Sequence, residues 1–265
     1  MTPLKLLATA LVLAMFSACA TSPEGRRQLH LLPEAQLDAM GEQSFAELKT
    51  TTPMTDKANV RNYVQCIANQ IIPQLAEDNN PAAWEVQVFA DDQANAFALP
   101  GRKIGVYEGL LKYAQNQHQL AAVMGHELAH VIAEHGNERV SSQLAANAGM
   151  SIAAIVLGST ESDNSMLMAG LGLGVQYGVL MPFSRSHESE ADLIGLDLMA
   201  KSGFDPRESV TLWQNMSKAG GSGPEFLSTH PSGDTRIKDL TGRMSKAMTL
   251  YNNAQNSGKK PNCSL

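Results

Sequence analysis

The chain has 265 residues, 43% of them hydrophobic and 17% charged, with a net charge of -6. That is enough apolar material for one sizeable domain with appendages, and it argues against intrinsic disorder. Scarce aromatics (5%) and the acidic balance argue against a nucleic-acid surface. Alanine, leucine, glycine and methionine dominate, with few long β-branched runs, which predicts an α+β fold, mostly helical, carrying a small sheet.

Lys5, an apolar stretch from Leu6 to Phe16 and small residues ending at Cys19 form an export signal. The stretch is too short to span a bilayer as a mature helix. Phe16-Ser17-Ala18-Cys19 resembles a lipobox, at which cleavage leaves an acylated Cys19 as first residue. The alternative is an ordinary secretory signal with an incidental cysteine, since Phe16 stands where leucine is usual. Ala20, where aspartate marks retention in the inner membrane of enteric bacteria, implies the inner face of the outer membrane. The expected organisation is a signal peptide over 1–18, a lipid anchor and tether over 19–32, a globular domain over 33–254 and a tail over 255–265. The remaining cysteines, Cys66 and Cys263, either pair in an oxidising compartment or stay as two thiols.

Residues 20–32 lack apolar periodicity and contain Arg26 and Arg27, which reads as a tether. Leu37, Met40, Phe45 and Leu48 predict a helix over 33–49, and Val60, Tyr63, Val64, Ile67 and Ile71 a second over 55–75. Alternation through Val86 and Val88, and more weakly through Ile104 and Val106, predicts strands. Pro100-Gly101 marks a hairpin turn, so Asn95, Ala96, Phe97 and Ala98 lie on an edge strand able to receive a peptide or merely to close a structural hairpin. Asn116 opens a helix expected to run through His135. Residues 144–158 and 166–181 read as apolar helices below spanning length. Ser186 opens a further helix that Gly203 ends.

Within the helix after Asn116 stands His126-Glu127-Leu128-Ala129-His130, an H-E-x-x-H pattern. Histidines four residues apart project from one face, so both imidazoles can reach one tetrahedral zinc ion. Glu127, beside the first ligand, is placed to take a proton from the attacking water. A metzincin would need glycine at 133 and histidine at 136, but Ala133 and Gly136 stand there. His135, five residues after His130, is off the ligand face and reads as a helix-end residue. The third ligand is assigned to Glu188, which shares a helix stripe with Asp192 and Gly195 while Glu190 points elsewhere; Asp192 would accept the free N–H of a ligand histidine. Without the H-E-x-x-H pattern this stripe would read as a solvated acidic face.

These two segments, with Asn95 to Gly101 ahead of them, resemble the gluzincin family of CAAX-prenyl endopeptidases and HtpX, and within it the soluble periplasmic branch typified by BepA and LoiP. The likeness runs from about residue 33 to 250 and implies a zincin-like metalloprotease domain over 33–254, with one Zn2+ per chain and an edge strand bordering the active-site helix. It also implies that His230, in Thr229-His230-Pro231-Ser232, sits near the metal, either steadying the oxyanion or coordinating the metal at rest, and that Arg236 holds substrate or supports the acidic residues behind the ligands. The function so implied is endopeptidase action on unfolded or misassembled cell-envelope proteins in the periplasm of a Gram-negative bacterium, with the membrane reached through Cys19. The competing readings are a zinc-containing chaperone or assembly factor with little proteolysis, and a membrane-embedded prenyl-protein protease, which the short apolar stretches disfavour.

Overall fold

A computed structural model describes residues 19–76, 80–156, 183–218, 226–230 and 234–265. Strands β1 (Cys19–Thr21) and β2 (Arg27–Leu29) pair antiparallel as an N-terminal hairpin. Helices α1 (Glu34–Thr51) and α2 (Ala58–Ile71) follow. Next come the sheet strands β3 (Glu85–Phe89), β4 (Ala96–Leu99) and β5 (Lys103–Tyr107). Helices α3 (Gln117–Ile132), α4 (His135–Val156), α5 (Arg185–Lys201), α6 (Arg207–Lys218), the short α7 (Phe226–Thr229) and α8 (Asp234–Asn256) complete the described chain. The fold is mostly helical with a small sheet, as composition predicts. No described helix is long and apolar enough to cross a membrane. The expected apolar helix over 166–181, and the signal peptide over 1–18, lie outside the described residues.

The sheet order is β3-β5-β4, with β3 parallel and β4 antiparallel to β5, so β4 is an edge strand. Leu99 pairs with Lys103 across the Pro100-Gly101 turn, where Gly101 (φ 76°) supplies the positive φ that a side chain would strain. One sheet face packs on α2 and α3, with Val64, Ile67, Ile71, Val106, Leu120 and Met124 all buried. Each such side chain contributes about 1.5–3 kcal/mol by leaving water. The other face carries Phe89, Phe97 and Tyr107, which form a second cluster with Phe45 of α1 and so seat that helix.

The segment expected to be a tether is instead folded. Leu31 N–H donates to Ser141 Oγ (2.8 Å), Gln28 Nε2 donates to the Ala133 carbonyl (2.7 Å), and Arg26 pairs with Glu138 and Glu190. Polar residues without periodicity here supply hydrogen bonds to helices far along the chain, which no local pattern announces. The C-terminal tail is tied down as well: Cys66 and Cys263 form a disulfide with Cα atoms 5.8 Å apart, and Cys263 N–H donates to Gln117 Oε1 (2.8 Å).

Candidate metal centre

Helix α3 is set by its ends. The Asn116 side chain accepts from the N–H groups of His118 and Gln119, both at 3.0 Å, relieving two orphan donors of the first turn. The helix stops at Ile132, short of the expected His135, because Glu134 takes a left-handed conformation (φ 48°) and reverses the chain. His135 therefore opens α4 and returns beneath His130.

Helix α5 crosses α3 at closest approach. A Cβ added to Gly195 would lie 2.8 Å from the Gly125 carbonyl carbon, and one added to Gly125 would lie 2.9 Å from the Gly195 carbonyl oxygen. Only two glycines allow backbones this close. The contact lies one residue before His126 and brings Glu188 and Asp192, on the same stripe of α5, against the ligand face of α3. Ser184 caps α5 by accepting the His187 N–H (3.3 Å), two residues earlier than the start expected at Ser186.

His126, His130, Glu188 and His230 turn one donor atom each into a common point, all within 4.8 Å of one another and all buried. The Nε2 atoms of His126 and His130 face each other at 3.1 Å, and each lies 3.4 Å from a Glu188 oxygen. Tetrahedral ligands about 2.0–2.1 Å from zinc stand roughly 3.3 Å apart, so these edges are those of a zinc polyhedron. Two ring nitrogens meeting at this distance need either a proton or a metal ion between them. His230 Nδ1 closes the fourth corner, 3.2 Å from His126 Nε2 and 3.0 Å from Glu188 Oε1. The donor set thus fits one zinc ion.

The charges around the point agree. Burial and the nearby Arg236 press the His126 pKa down, yet Asp192 and Glu188 raise it to about 9, so two carboxylates demand positive charge there. Burial holds His130 well below the ordinary histidine range, leaving its lone pair free. Burial also opposes ionisation of Glu188, but His230, His126 and His130 keep it far below the usual carboxylate range. Glu127 is buried, with Oε1 3.3 Å from His230 Nε2 and accepting no hydrogen bond. Its carboxyl is pushed up by burial, against the pull of His230 and His126.

Behind His126, Asp192 Oδ1 lies 3.1 Å from Nδ1. Arg236 grips Asp192 with two donors at 2.6 Å, reaches Glu188 Oε2 at 2.7 Å and lies over the Trp213 ring at 3.7 Å. Of the two expected roles for Arg236, the structure places it behind the ligands.

Sequence reasoning missed what lies behind His130. His135, fully buried, has Nδ1 2.8 Å from His130 Nδ1 and Nε2 3.1 Å from Glu190 Oε2, and Glu190 receives Arg26 Nε at 2.9 Å. Burial lowers the His135 pKa to about 4, so it is neutral. Its sequence distance from His130, the polar N-terminus and the off-stripe position of Glu190 each gave a bland reading.

A cleft of about 410 Å³ leads from His130 along Ala98 to Arg102, past Trp84 and Phe183. Phe183 stacks on the His130 ring with centroids 3.8 Å apart. Asn95, Ala96 and Phe97 are buried where the strand packs beside α3, and of residues 95–98 Ala98 lines this cleft.

Residues 58–244 match the model of Peptidase family M48. The mitochondrial metalloendopeptidase OMA1 of Schizosaccharomyces pombe is 39% identical over 181 residues, covering 67% of this chain and 51% of that protein. Metalloendopeptidase OMA1, mitochondrial, of Bos taurus is 32% identical over 240 residues, 85% of this chain and 44% of that one. The beta-barrel assembly-enhancing protease of Yersinia pestis is 29% identical over 213 residues, 77% and 43% of the two chains. The chain spans about half, or less, of the length of these curated relatives. With the matched region enclosing α3, α5 and all four converging donors, the chain belongs to peptidase family M48, a family of zinc-dependent metallopeptidases.

Proposed function

We propose that this chain is a zinc-dependent endopeptidase that cleaves unfolded or misassembled proteins of the cell envelope. The observation that carries the reading is the convergence of His126, His130 and Glu188 on one point, with the Glu127 carboxylate beside it. Bound there, zinc supplies Lewis-acid polarisation of the peptide carbonyl and acidification of water. Glu127 takes the proton of the attacking water and returns it to the leaving amine. His230 would either complete the donor set through Nδ1 or donate an N–H to the developing oxyanion. An extended segment adds to the edge of β4 from Asn95 to Ala98, a geometry that a packed domain cannot offer. The name of the Yersinia pestis relative, a beta-barrel assembly-enhancing protease, supports substrates at the envelope. The lipobox-like residues ahead of Cys19 support export and anchoring by a lipid to the outer membrane.

Glu127→Gln decides between protease and chaperone. Casein digestion falls at least about 1,000-fold while bound zinc, measured by metal analysis, stays at one ion per chain. Undiminished cleavage by the variant refutes the proposed chemistry.

A further inference from the structure

Both α3 histidines use their second ring nitrogen, but they use it differently. His126 has a carboxylate directly behind it. Among the described residues, His130 has none in reach of Nδ1, which faces His135 Nδ1 at 2.8 Å. Two ring nitrogens at that distance need one proton between them. With Nε2 of His130 turned to the metal point, its Nδ1 carries the proton and donates, so His135 accepts at Nδ1 and holds its own proton at Nε2. That Nε2–H donates to Glu190 Oε2 at 3.1 Å.

Glu190 is itself buried and is gripped by the N-terminal hairpin. Arg26 Nε donates to Oε2 at 2.9 Å, while Nη1 and Nη2 donate to the two oxygens of Glu138, each at 2.6 Å. One planar guanidinium thus holds carboxylates of α4 and α5 together, a geometry that an ammonium cannot reproduce. Glu138 also accepts from Gln28 Nε2 (3.1 Å) and lies 3.0 Å from His187 Nε2. The links run donor to acceptor from the ligand ring to Glu190, which also accepts from Arg26, a residue seven positions after Cys19.

We propose that Arg26 is a positioning residue for the metal ligand His130, acting through Glu190 and His135, so that docking of the N-terminal hairpin sets the metal affinity. The inference rests on the zinc reading above. Loss of Arg26 leaves Glu190 without its cation in a buried place, and the carboxylate turns away. His135 then loses the acceptor that fixes its tautomer, and the His130 ring loses its orientation. A different anchor of the same hairpin, the Glu24 side chain on Arg243 of α8 (2.8 Å), makes no contact with these groups, although the Glu24 backbone N–H reaches Glu190 Oε1 at 3.4 Å; a side-chain substitution there leaves that N–H in place and serves as an internal control.

The test measures zinc dissociation constants of the full chain by competition with a chromophoric chelator, and records the visible spectrum of the cobalt-substituted protein. Arg26→Ala and His135→Asn each weaken zinc binding about 10-fold or more, and the double variant weakens it no further than His135→Asn alone. The cobalt spectra of both single variants shift alike, and Glu24→Gln stays within about twofold of wild type. If Arg26→Ala does not fold, Arg26→Lys, which cannot bridge both carboxylates, takes its place in the same cycle. An Arg26 variant that binds zinc like wild type, additive losses in the double variant, or equal weakening by Glu24→Gln overturns the proposal. A wild-type chain that binds no zinc overturns the metal reading itself instead.

Discussion

His126 and His130 leave the same helix one turn apart and face the same point, yet they are supported by unlike means. Behind His126 the support is short: Asp192 on the neighbouring helix, held by Arg236 and covered by Trp213. Behind His130 it is long, running through His135 and Glu190 to an arginine on the N-terminal hairpin. In both cases an arginine fixes a carboxylate that orients, directly or through His135, a ligand ring. The difference lies in burial and reach. Arg236 is buried among aromatic rings, while Arg26 lies at the rim with its side chain 27% exposed. One support belongs to the folded core, and the other depends on a terminal segment staying docked.

The comparison breaks most visibly at Arg236. Arg236→Ala strands Asp192 and Glu188 as buried charges and costs about 3–5 kcal/mol of stability, read by urea unfolding of the metal-free protein. Arg26, being partly solvated, costs far less in the same measurement although it also weakens zinc. Equal losses at the two arginines would erase the distinction.

Gly195→Ala probes what the two supports share. Its Cβ would lie within 2.8 Å of α3 backbone, so the helices must separate. We expect about 1–3 kcal/mol of destabilisation together with weaker zinc binding, because both ligand supports leave their register at once. Full retention of zinc affinity would show that the helix spacing does not set the site.

The smallest effect sharpens the hairpin side alone. Burial pushes the Glu138 carboxyl up, but Arg26 and His187 override it and hold its pKa at about 2, against an ordinary 4.5. A depressed carboxylate stabilises the fold fully above its unfolded value and loses that contribution as pH falls towards its folded one. The difference in Tm between wild type and Glu138→Gln should therefore narrow as pH drops from 4.5 towards 2. A constant difference would mean that the Arg26 pairing adds nothing to docking.

Much of the metal site was legible before any fold was known, because its parts obey helical geometry. The spacing of His126 and His130, the adjacency of Glu127 and the shared stripe of Glu188, Asp192 and Gly195 all follow from 3.6 residues per turn. The strands, the hairpin at Pro100-Gly101 and the cap at Asn116 were legible for the same reason: each depends on neighbours in sequence. His135 was misplaced because a single left-handed residue, Glu134, ends the helix one turn early. The hairpin at 19–32 was misread as a tether because its stabilising partners lie more than 100 residues away.

What the sequence determined by itself is therefore the layout of the candidate site: two imidazoles, a third donor able to hold a metal and a carboxylate beside them, arranged by the pitch of two helices. Tertiary structure alone decided that His230 reaches the fourth corner, that Arg236 stands behind the ligands rather than in the cleft, and that the N-terminus bears on His130. Helical periodicity is a local property written in the order of residues. Charge pairing across a core depends on where distant segments come to rest, and nothing in the order of residues records that.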